Sequence, residues 1–104
     1  MTRAPARLSD YPPPGMEVHL IERYVRLQDR RILEIGCGDG RLTRQFAHLA
    51  SSVVAIEPDK TKTAVARRMV AAEGINNVSF RVDSAEHLRV GRDPFDVVLF
   101  SWSL

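Results

Sequence analysis

Glu34-Ile35-Gly36-Cys37-Gly38-Asp39-Gly40 is the stretch on which the fold turns. Just before the glycines, Ile32-Leu33-Glu34-Ile35 is a nearly continuous apolar run, the pattern of a strand covered on both faces. Just after them, Leu42, Phe46 and Leu49 recur at helical spacing within Arg41 to Ala50. The glycines therefore occupy a strand-to-helix turn. Three of them at alternate positions permit positive φ and close approach of a ligand to the backbone, while the following helix turns free N–H groups toward the loop. In a doubly wound parallel sheet this turn lies at the carboxyl edge, beside the reversal of strand order where ligands bind.

Working outward, Val53-Val54-Ala55-Ile56 is a second strand closed by Glu57-Pro58. Asp59 is placed to cap a helix through Glu73 whose expected buried side is Val65, Ala66, Met69, Val70 and Ala72, with Gly74 as its left-handed terminator. Val78, Phe80 and Val82 alternate into a third strand, Asp83 to Leu88 suits a short helix or turn, and Gly91 to Pro94 is a loop. Phe95 to Phe100 reads as a fourth buried strand. Upstream, Met16, Leu20, Tyr24 and Leu27 form a helical stripe within Met16 to Gln28, and the proline-rich stretch 1–15 reads as a flexible leader. Strands alternating with helices predict an α/β parallel sheet with helices on both faces.

The 104 residues suffice for one small domain; 44% are hydrophobic and 27% charged. That balance excludes a disordered segment, and no apolar run is long enough for a membrane span. Fifteen basic residues against thirteen acidic leave a net charge of only +2, too little to build a polyanion-binding surface, so no nucleic-acid partner is expected. The single cysteine, Cys37, excludes an intramolecular disulfide framework and a cysteine-based zinc site, and fits a reducing, cytoplasmic setting. No apolar segment follows the N-terminal arginines, so the start does not read as a secretory signal. His19, His48 and His87 have no metal-ligand spacing and read as surface or edge residues; no metal is expected. Cys37 reads chiefly as small filler in the loop, with a thiol lowered by the helix N-terminus as the alternative.

The dinucleotide pattern G-x-G-x-x-G would need a third glycine where Arg41 stands, which disfavours a pyrophosphate loop. The chain instead resembles the class I S-adenosylmethionine-dependent methyltransferases, from about Arg31 to Ser101. Four stretches carry the likeness: Ile32 to Gly40, Val54 to Pro58, Phe80 to Glu86 and Phe95 to Ser101. The resemblance implies a Rossmann-like sheet of about four strands in order 3-2-1-4, lacking the C-terminal strands of the complete fold, with 16–104 as the cofactor-binding domain. It implies S-adenosyl-L-methionine as cofactor.

By that resemblance Gly36, Cys37, Gly38 and Gly40 form the loop under the cofactor, and Glu34 organises the loop and the methionine end. Glu57 would accept from both ribose hydroxyls, since a carboxylate there suits a diol and would repel a 2′-phosphate. Pro58 would contact the adenine edge, Asp83 would accept from the adenine amino group, and the backbone of Ser84 or Ala85 would meet the ring. Ser101 would offer backbone atoms to the methionine moiety, with Phe100 and Trp102 walling the site or packing the core. The implied activity is in-line methyl displacement onto an unidentified small-molecule acceptor, with no catalytic residue assigned. Ser101-Trp102-Ser103-Leu104 lacks the Asn-Pro-Pro-Tyr type of sequence used on adenine or glutamine amino groups. The alternatives are a non-catalytic cofactor-binding module or half-domain completed by a partner chain, and a nicotinamide-dependent oxidoreductase fragment. The fourth strand, left as an edge, is expected to drive self-association, and the chain alone is expected not to turn over.

Overall fold

A computed structural model describes residues 15–87 and 95–101. The expected leader up to Pro14, the end of the short turn at Leu88, the Gly91 to Pro94 loop and Trp102 lie outside the described residues. The elements run α1 (Met16–Glu22), β1 (Arg31–Ile35), α2 (Arg41–Phe46), β2 (Ser52–Glu57), α3 (Lys60–Ala72), β3 (Val78–Val82), a 3-10 turn (Ala85–His87) and β4 (Val97–Phe100). The strands are all parallel, in the order β3-β2-β1-β4. The order reverses beside β1, which pairs with β2 on one side and β4 on the other.

Alternation along β1 divides the core in two. Ile32 joins Val53, Ala55 and Val97 in a larger cluster with Val18 of α1 and with Leu42 and Phe46 of α2. Leu33 and Ile35, pointing the other way, form a smaller cluster with Ile56. α3 starts at Asp59, whose Oδ1 accepts from the N–H groups of Thr61 and Lys62 (2.8 and 3.1 Å), and stops at Gly74 with φ of 70°.

Three packing expectations are corrected. The helix predicted to reach Gln28 ends at Glu22, and Met16, Leu20 and Tyr24 of the expected stripe are exposed. The buried face is the opposite one: Val18 is buried, Ile21 and Val25 pack beside it, and Leu27 is buried from the loop that follows. The segment carried both stripes, and its β-branched side is the one that meets α2 and the sheet. On α3, Met69 and Ala72 are exposed, and the buried line is Thr63, Ala66 and Val70. Thr63 can be buried because its hydroxyl donates to the Asp59 carbonyl at 2.9 Å. Finally, β4 is not covered on both faces, for Val97 is buried while Val98 and Phe100 are 47% and 71% exposed. Among the described residues it has a hydrogen-bonded neighbour, β1, on one side only.

Candidate functional site

The carboxyl ends of all four strands lie along one edge of the sheet, held by backbone bonds from each strand end to its neighbour. Gly36 and Cys37 N–H groups donate to the Ile56 carbonyl (2.8 and 3.1 Å), Asp83 N–H to the Glu57 carbonyl (3.2 Å), and Ser101 N–H to the Ile35 carbonyl (3.1 Å). The proposed positions from β1, β2, β3 and β4 thus share one edge of the sheet. Gly36, Gly38 and Gly40 all have positive φ, at 77°, 58° and 83°. An added Cβ at Gly38 would meet nothing within 4 Å, whereas one at Gly40 would lie 3.1 Å from the Ala66 Cβ of α3. The two glycines therefore do different work. Gly38 keeps space open over the loop, and Gly40 lets α3 pack closely. The packing glycine that the dinucleotide pattern would have placed at position 41 is supplied one residue earlier.

Glu57 closes this arrangement. It is 7% exposed, its Oε1 accepts from Gly38 N–H at 2.8 Å and its Oε2 from Asp59 N–H at 3.0 Å. Each oxygen keeps a lone pair, so the carboxylate tethers the loop and still has capacity for a vicinal diol. Pro58, next to it, is exposed. Asp83, at the end of β3, is half-buried and accepts from Ser84 N–H at 2.7 Å; Ala85 opens the 3-10 turn and is exposed.

Under the loop lies Glu34, fully buried on the α2 side of β1. The Thr43 hydroxyl of α2 donates to its Oε1, and its Oε2 has no hydrogen-bond partner among the described residues. Burial pushes the Glu34 carboxyl up from its ordinary value; hydroxyls of Ser101 and Thr43 and the Arg41 charge pull it partly back. The Ser101 hydroxyl itself donates to the Gly36 carbonyl at 3.2 Å. Cys37 is buried, and desolvation, with the Glu34 and Glu57 charges adding to it, pushes its thiol up to about 12. Burial thus opposes the thiolate that a helix N-terminus would favour, in keeping with Cys37 as a small buried residue of the loop.

Thr43 and the ion pair between Arg41 and Glu17 of α1 were not singled out in the sequence. The signal for Thr43 was a hydroxyl beside Leu42 on the helix that must cover an acidic strand residue; nothing in the sequence pairs positions 17 and 41. Beyond that ion pair, Leu20 and Ile21 of α1, Leu42 of α2, and Leu99 and Phe100 of β4 line a mostly apolar groove of about 280 Å³ ending at Ser101. The described residues contain no cluster of metal-ligating side chains and no helix long and apolar enough to cross a membrane.

Comparison with known proteins places this geometry. A methyltransferase-domain family model matches residues 32–104. The ubiquinone biosynthesis O-methyltransferase of Rhizobium etli is 36% identical over 73 residues, which are 70% of this chain and 29% of that protein. The enzyme of the same name from Mesorhizobium japonicum is 42% identical over 69 residues, 66% of this chain and 27% of its own length. An S-adenosylmethionine-dependent methyltransferase structure from Clostridium acetobutylicum has the same fold, with a TM-score of 0.71 over 86% of this chain and 37% of that one, at 20% identity. The fold is a Rossmann-like parallel sheet. The chain belongs to the class I S-adenosylmethionine-dependent methyltransferases, and it spans less than a third of the length of the curated relatives it matches.

The cofactor of this family fits the residues present. Open space lies over Gly38, Glu57 has acceptor capacity to spare, and Glu34 holds one buried oxygen without a partner.

Proposed function

We propose that this protein binds S-adenosylmethionine at the sheet edge above Gly36 to Gly40 and serves methyl transfer to a hydroxyl of a small apolar acceptor. The observation that carries the reading is the Glu57 carboxylate, bonded to Gly38 N–H at 2.8 Å while facing the reversal point of the sheet. When bound, the cofactor supplies a methyl group already activated on a sulfonium. The chain's own part is positional. Glu57 accepts from the two ribose hydroxyls, Asp83 and the Ser84 and Ala85 backbone meet the adenine with Pro58 at its edge, and Glu34 and Ser101 hold the methionine end. Holding the acceptor in line is worth up to ~7–11 kcal/mol in intramolecular reactions, so no nucleophilic triad is required.

The acceptor class is supported by the apolar groove ending at Ser101 and by the O-methyltransferase names of the Rhizobium and Mesorhizobium relatives. Binding of S-adenosylhomocysteine tests the cofactor half of the reading, and transfer of labelled methyl groups to phenolic acceptors tests the other.

We further propose that the 104-residue chain associates through β4. An edge carrying Val98 and Phe100, 47% and 71% exposed, offers unpaired backbone beside apolar side chains. Sedimentation is expected to show concentration-dependent oligomers that Phe100→Lys dissociates. A parent that is monomeric at every concentration would remove this proposal.

A further inference from the structure

Glu34 is an anomaly as a fold element. It interrupts the buried strand Ile32-Leu33-Glu34-Ile35 with a carboxyl that has no exposed surface. Glu57, the other carboxyl buried at this edge, has a backbone N–H on each oxygen. Glu34 has the Thr43 hydroxyl on Oε1 and no hydrogen-bond partner on Oε2 among the described residues, and the nearby Ser101 hydroxyl offsets its burial only in part. An ionised carboxylate in that position would be half satisfied in a desolvated place, which is costly unless a proton or a cation occupies the open oxygen.

The Arg41 charge favours the ionised form but does not outweigh burial. Arg41, at the start of α2, is ion-paired with Glu17 of α1. Glu57 of β2 and Asp39 of the loop bring further negative charge, and Cys37 stays a neutral thiol with its own ionisation pushed up to about 12. β4 brings no titratable group (Val97–Phe100).

We propose that Glu34 is protonated in the ligand-free protein and ionises when an ammonium group of the bound ligand takes its open oxygen, so that ligand capture releases a proton. This rests on that sheet edge being the S-adenosylmethionine site, where the amino-acid end supplies the ammonium. In the step, the Glu34 O–H bond breaks and its electron pair stays on the carboxylate. The proton passes to solvent, and the ligand ammonium, keeping all its protons, donates to Glu34 Oε2. One positive charge enters and one leaves. Burial of Glu34 raises its carboxyl from the ordinary value, which extends the release to higher pH than an ordinary carboxyl would allow. Linkage then makes affinity for an ammonium-bearing ligand rise with pH, by at most tenfold per pH unit, until Glu34 is ionised in the free protein as well.

Calorimetry of S-adenosylhomocysteine binding in two buffers of different ionisation enthalpy, repeated at increasing pH, counts the protons released. The parent is expected to release up to one proton per ligand, falling to none as pH rises. Methylthioadenosine, which keeps the nucleoside and thioether but lacks the amino-acid end, should release none. Glu34→Gln should bind S-adenosylhomocysteine more weakly and without release. Thr43→Val, which removes a bond that favours the ionised form, should move the release to higher pH and serves if Glu34→Gln fails to fold. Binding without proton release at any pH, or equal release from Glu34→Gln, would overturn the proposal.

A second readout needs no ligand. The raised carboxyl stabilises the fold while protonated, so the parent should lose stability as pH rises through and beyond the ordinary carboxylate range, with the unfolding constant growing by at most tenfold per unit. Glu34→Gln, or Thr43→Val with its window shifted upward, should differ from the parent in that slope. Identical slopes in all three proteins would overturn a protonated Glu34 whether or not the cofactor binds, and absence of S-adenosylhomocysteine binding beside differing slopes would fault the cofactor reading instead.

Discussion

Gly38→Val is expected to abolish binding of S-adenosylhomocysteine in a protein that still folds. Gly38 sits at φ of 58°, where a side chain costs about 1–2 kcal/mol. Its added Cβ would meet nothing within 4 Å, so the fold faces strain but no collision. At about 4–8 °C of melting temperature per kcal/mol, the strain should lower the melting point without removing the transition. The isopropyl group would occupy the open space over the loop that the ligand needs. Gly40→Val should behave differently, because its Cβ would press on Ala66 at 3.1 Å with φ of 83° and displace α3. Melting curves and calorimetry on the two variants separate these effects. A folded Gly38→Val protein that binds like the parent would show that the glycine loop is not the site.

Glu57→Ala is expected to weaken binding at least tenfold and to destabilise the free protein. The buried carboxylate accepts from Gly38 and Asp59 N–H groups, and charge-assisted hydrogen bonds of this kind contribute about 1.5–3 kcal/mol each. Their loss removes the side-chain tether on Gly38, although Gly36 and Cys37 N–H groups still donate to the Ile56 carbonyl, and leaves two backbone donors to find water. Bonds to the ribose hydroxyls disappear as well, so affinity measured well below the melting temperature should still be reduced. Unchanged affinity in the folded variant would remove Glu57 from the ribose.

The strand-to-helix turn was legible because glycine, β-branched and apolar residues each have few ways to satisfy the backbone there. Asp59 and Gly74 marked the ends of α3 for the same reason. The strand order came from the resemblance rather than from periodicity, and the sheet has it. What was not legible depended on partners distant in sequence. Choosing between the two stripes of the first helix requires knowing what α1 packs against, and the burial of Thr63 requires a carbonyl to receive its hydroxyl. In the site, Gly36 to Gly40, Glu57, Asp83 and Ser101 could be placed at strand ends from the sequence. That Glu57 already holds the Gly38 N–H, and that Thr43 reaches Glu34, could not, because groups 19 and 9 residues apart meet only in the fold. The reading of Cys37 as small filler agrees with its burial, and the alternative of a lowered thiol fails because desolvation and the carboxylates of Glu34, Glu57 and Asp39 act against it.

Side-by-side calorimetric titration of the 104-residue protein with S-adenosylhomocysteine and with NAD tests the cofactor reading most directly. One-to-one binding of S-adenosylhomocysteine, with no heat from NAD, is the predicted result. Binding of NAD in preference, or of neither ligand to a folded protein, would contradict it.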